Sequence, residues 1–189
     1  MIQPGAGQYL HRTNPALREQ MTETTQRARR ELRFETLEEV AQEAKRLLQD
    51  GYVSTGNWSL AQVCGHLNDW MGFSMDGYAP APLPIRVVLW LMKVTVGRRQ
   101  LESVFEAGFR DRLPTVPATV HAADEQGDLD AVDQLIETIH RFHAFDGPIA
   151  PSPLYGALSK EEAVRLQLVH CAHHLRFLEP GPSSEPKTS

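Results

Sequence analysis

Apolar residues in this chain recur at three- and four-residue intervals within stretches bounded by glycine and proline. Nowhere do they alternate for long enough to define a strand. That property predicts helices joined by irregular connectors. The clearest stripe, Leu37, Val40, Ala41, Ala44, Leu47 and Leu48, sets a helix over 36–49 that Gly51 closes. A second helix opens at Ser59, a good N-cap, and lines up Leu60, Val63, Leu67, Trp70, Met71 and Ser74 before Gly77. After a loop holding Pro80, Pro82 and Pro84, residues 85–107 read as one long helix or as two pieces broken at Gly97. Residues 109–127 have no periodicity and are expected to form a surface excursion. A helix over 129–145 follows, with Leu129, Val132, Ile136 and Ile139 facing inward. The last helix opens with a capping box, Ser159 with Glu162, and is expected to run to Leu178, ahead of Pro180. A charged stretch over 18–33 is helix-permissive with a weaker stripe.

The expected fold is therefore all-α, an antiparallel helical bundle. Three regions follow from composition: an N-terminal arm or extra helix over 1–29, the bundle over 30–179, and a disordered tail over 180–189. With 41% hydrophobic and 23% charged residues among 189, one globular domain is the expectation. A net charge of −5 argues against a nucleic-acid partner. Two cysteines make no disulfide framework, which points to a reducing cytoplasm. MIQPGAGQYLHR lacks the apolar segment of a secretory signal. The most apolar run, 83–96, is broken by Arg86 and Lys93 and is too short to span a bilayer, so no membrane partner is expected. The same run is apolar on more than one face, and Leu168 and Leu175 lie nearly opposite His170. Both suggest either a covering helix or a homodimer interface.

Eight histidines carry most of the functional signal. On a helical wheel Ala163, Leu166, His170, His174 and Phe177 share one arc of roughly 80°. Imidazoles at i and i+4 can reach one ion, and two on an inward face each need a partner for their ring nitrogens. A third ligand must come from another element: His66, His140, His143, His121 or an inner carboxylate. Cys64 and Cys171 point away from their neighbouring histidines and read as buried structural thiols.

The segment GNWSLAQVCGHLNDWMGFSMDG, followed by SPLYGALSKEEAVRLQLVHCAHHLRFL, resembles the DinB-like (YfiT-like) superfamily of metalloenzymes, in one of its branches of unknown function. The resemblance covers residues 30–178. It implies a four-helix up-down-down-up bundle with a divalent metal at one end, held by one histidine of the second helix and two of the last. Carried onto this chain the ligands are His66, His170 and His174, while His140 and His143 fall outside the motif. Zinc or nickel suits imidazole donors, with manganese or iron as further ions. His173 and Asp69 are then the catalytic candidates, and Trp70 and Arg176 the candidate substrate contacts. The resemblance implies a small-molecule substrate, with either hydrolysis or transfer to a low-molecular-weight thiol. The alternative is a helical bundle that binds metal or ligand without catalysis.

Overall fold

The structure, a computed structural model, describes residues 30–110, 119–123 and 126–181. These are mostly helical: α1 (Leu37–Asp50), α2 (Leu60–Asp76), α3 (Leu83–Met92), a π-helical turn (Lys93–Gly97), α4 (Arg98–Ala107), α5 (Asp128–Ala144) and α6 (Lys160–Leu175). The predicted arm or extra helix over 1–29 and the tail from 182 onward lie outside the described residues. Of the helix expected over 18–33, the described part, residues 30–33, is not helical.

Local chemistry sets the helix ends as expected. Ser59 and Ser159 each accept a hydrogen bond from the backbone three residues on, and the Gln62 and Glu162 side chains close the two capping boxes in return. α1, α2, α5 and α6 pack on one another around a core in which Val40, Leu47, Leu60, Leu67, Leu135, Ile139 and Phe142 are fully buried. Each such side chain contributes about 1.5–3 kcal/mol relative to exposure, which is what holds these faces together. α2 is buried on nearly every side, so His66 lies inside the protein. Asp128, in the first turn of α5, ties that helix to the start of α2. Its carboxylate accepts from the Tyr52 hydroxyl at 3.1 Å and from the Ala61 amide at 2.8 Å.

Several expectations need correction. The last helix stops at Leu175, and Leu178–Pro180 is instead a short strand paired antiparallel with Tyr52–Ser54. Strands this short carry no apolar alternation, so nothing in the sequence announces them. The buried stripe of α6 is Ala163, Gln167, Cys171 and Leu175, one residue out of step with the arc through His170 and His174. Leu175 is consequently spent on the chain's own core, and Leu168 is half-buried against that core. Leu129 is exposed, because it stands about 110° from the centre of the stripe formed by Ala131, Val132, Leu135, Ile139 and Phe142.

The 85–107 run is one continuous helix with a π turn in it. Gly97 ends that turn against the backbone of residue 154, where a Cβ would lie 2.5 Å from the Leu154 carbonyl oxygen. The expected surface excursion of 109–127 also fails in part. Thr119 is fully buried, and the short segment around it folds back over α2.

Candidate metal centre

α2 and α6 bring three histidines together. His66 comes from α2, and His170 and His174 lie one turn apart on α6, so that one ring nitrogen of each lies within 4.8 Å of the others. The ring centroids are 5.1 Å apart for His66–His170, 4.5 Å for His66–His174 and 4.7 Å for His170–His174. Nε2 of His66 stands 3.2 Å from Nε2 of His170. Zinc–imidazole bonds of about 2.0–2.1 Å place neighbouring donors about 3.3–3.4 Å apart on a tetrahedral ion, so this pair fits one.

The tautomer of His66 follows from its other nitrogen. Nδ1 lies 3.1 Å from the Thr119 carbonyl oxygen, which can only accept, so Nδ1 carries the proton and donates it there. The Thr119 hydroxyl lies at the same distance. The Nε2 lone pair is thereby left facing His170 and His174, the arrangement by which outer partners orient metal-binding imidazoles.

Aromatic rings enclose the group. Trp58 stacks on His174 at 5.4 Å between ring centroids, and Trp70 and Phe109 approach His170 at 5.6 Å and 5.3 Å. In these apolar surroundings burial pushes all three imidazoles down, His66 to about 4 and His174 to about 2, and neighbouring histidines push His170 and His174 further the same way. At neutral pH the cluster therefore presents neutral imidazoles with available lone pairs, the protonation state a metal requires.

The other sequence candidates take varied places. The His173 ring lies 5.0 Å from that of His174, and 5.7 Å from that of Phe109. Asp69 does not reach His66; its carboxylate is 2.9 Å from Nε2 of His121. The Trp70 Nε1 donor is buried with no hydrogen-bond partner among the described residues, as is the Gln167 Oε1 acceptor. Arg176 caps α6 with its guanidinium over the Phe177 ring. His140 and His143 are exposed on α5. Cys64 and Cys171 are buried free thiols that burial pushes up, Cys171 to about 12.

The sequence carries no signal for Thr119 itself and offers His121 only as one of several possible third ligands. His121 lies over Gly65, where a Cβ would come within 2.9 Å of its ring, and its carbonyl accepts from the Gln62 side chain at 2.7 Å. Gly65 immediately before His66 is the one local signal: a glycine inside a helix leaves room for something to pass close over it.

Residues 26–181 match a family model described as "Protein of unknown function (DUF1569)". The chain belongs to that family. Within the DUF1569 match lie α1 to α6, the paired strands and all three clustered histidines. Comparison with curated proteins and with solved structures gives no match.

Proposed function

We propose that this DUF1569 protein is a divalent-metal-dependent enzyme of small-molecule metabolism, with His66, His170 and His174 as ligands. The carrying observation is the convergence of three neutral imidazoles from two helices, one of them oriented by Thr119. On this reading α1, α2, α5 and α6 form a DinB-like up-down-down-up bundle with the metal toward one end. Three protein ligands leave coordination positions for water or substrate, whereas structural zinc sites are filled by four. Among the described residues no fourth histidine, cysteine or carboxylate joins the group. An ion bound there supplies Lewis acidity, lowering the pKa of bound water or holding a thiolate, which suits hydrolysis or transfer to a low-molecular-weight thiol.

The chain's own groups would then do three things. Thr119 holds the proton of His66 on Nδ1. Trp58, Trp70 and Phe109 restrict water around the imidazoles. Trp70 Nε1 and Gln167 Oε1, a buried donor and a buried acceptor, offer a substrate's polar groups partners that the protein does not supply to them. His173, one position before a ligand, is the nearest candidate base, and Arg176 a candidate for an anionic substrate group.

Elemental analysis of protein prepared without a histidine tag, beside a His170→Ala/His174→Ala variant, tests the reading. About one equivalent of metal in the parent and none in the variant is expected. A parent that takes up no zinc, nickel or manganese overturns it. A loaded parent inactive in hydrolase and thiol-transfer screens supports instead a binding protein without catalysis.

A further inference from the structure

We propose that α3 and the turn after it form a docking surface for an anionic lipid bilayer, with α3 lying in the plane of the interface. No residue of α3 is buried. Leu83 is 70% exposed, and Ile85, Val87, Val88, Trp90 and Leu91 are each between 51% and 58% exposed. Leu83, Val87, Trp90 and Leu91 fall within one arc of about 100°. Exposed apolar surface of this extent on one short helix marks an interaction site.

Charge selects the occupant. Although the whole chain carries −5, no acidic residue occurs between Asp76 and Glu102, while Arg86, Lys93, Arg98 and Arg99 do. Arg98 is held by Glu162 at 2.7 Å, whereas Arg86, Lys93 and Arg99 enter no ion pair among the described residues. An apolar helix in an acid-free stretch of sequence that carries Arg86, Lys93 and Arg99 complements anionic headgroups over acyl chains, and Trp90 is the residue type favoured at that boundary. A second copy fits less well: a twofold contact between two such helices would bring Arg86 and Lys93 toward their counterparts with no acid within 77–101 to offset them.

The geometry agrees. α3 has ten residues, about 15 Å, and no helix among the described residues is long and apolar enough to cross a membrane, so it can only lie on one. The expectation of no membrane partner rests on a span too short to cross a bilayer; surface docking needs no span, and the proposal departs from that expectation. Gly97, set against the Leu154 carbonyl, fixes where the helix leaves the body. The inference is independent of the metal reading.

The test is co-sedimentation of the full chain with phosphatidylglycerol/phosphatidylcholine vesicles and with phosphatidylcholine alone, at low and high salt. The parent is expected to sediment with the anionic vesicles and to be released by salt. Val87→Gln/Leu91→Gln should abolish sedimentation. Arg86→Gln/Lys93→Gln should weaken it by about 25-fold, about fivefold per cation. Trp90→Ala serves as the second apolar variant, and circular dichroism of each establishes that it is folded. A parent that stays in the supernatant overturns the proposal, as does a folded Val87→Gln/Leu91→Gln protein that binds like the parent. If the parent ignores vesicles yet sediments as a dimer that this variant turns into a monomer, the face belongs to a second copy.

Discussion

His66 and Thr119, separated by 53 residues in sequence, meet at 3.1 Å between the imidazole Nδ1 and the threonine carbonyl oxygen. The contact keeps its geometry only while the segment carrying Thr119 stays pressed on α2, and that approach runs over Gly65. In Gly65→Ala the new Cβ would come within 2.9 Å of the His121 ring, which must swing away from Asp69. Alanine favours the helix by up to about 1 kcal/mol, so the melting temperature is not expected to fall. Zinc affinity is expected to drop about tenfold, as for other losses of outer support. A competition titration that finds parent-like affinity removes this segment from the site.

Acid should destabilise the metal-free protein through His66. His66 is held at about 4 in the fold against an ordinary 6.5, so the unfolded chain binds the proton more readily. Stability is complete above pH 6.5 and is lost as pH falls toward 4, by an amount on the order of 3 kcal/mol from this group. Urea midpoints measured with chelator at pH 7 and pH 5 should differ accordingly. Saturating zinc should move the loss to lower pH. Equal midpoints with chelator would show that the histidines are not desolvated.

The two thiols should be inert in the native protein. Cys64 and Cys171 are fully buried and pushed up by that burial, and thiolate is the reacting form. Ellman's reagent at pH 8 should find no fast-reacting thiol until denaturant is added, and then both. Fast reaction under native conditions would contradict the placement of α2 against α6.

Asp128→Ala removes the acceptor shared by the Tyr52 hydroxyl and the Ala61 amide, together with a negative charge at a helix N-terminus. A loss of about 1–3 kcal/mol in urea unfolding is expected, with metal content unchanged. Loss of metal would mean that this junction reaches the histidines.

Gly97→Ala sets two effects against each other. Helix propensity favours alanine, but the Cβ would meet a backbone oxygen at 2.5 Å, and backbone cannot rotate aside as a side chain can. Destabilisation of about 1–3 kcal/mol is expected. A stabilised variant would show that residue 154 is not pressed on the π turn.

What could be read from the sequence was what is decided locally. The capping boxes at Ser59 and Ser159, the glycine stops and the one-turn spacing of His170 and His174 each depend on residues within four positions. The side of α6 facing the core is not legible locally, because Gln167 is polar and is buried only by the bonds its amide donates to the Trp70 carbonyl and the Ser74 hydroxyl. Leu178–Pro180 looked like a helix end because its strand partner lies more than a hundred residues earlier. Thr119 and His121 belong to no periodic pattern, and only their contact with α2 gives them a role.

His66 and His170, whose Nε2 atoms stand 3.2 Å apart, are separated by 104 positions in sequence. An ion shared by them would close that length of chain into a loop, as a removable cross-link between α2 and α6. Folding stability would then depend on free metal, rising by about 2.7 kcal/mol at a hundredfold excess over the dissociation constant. The same polypeptide would be long-lived in metal-replete surroundings and open to proteolysis in depleted ones, so its abundance would follow metal supply.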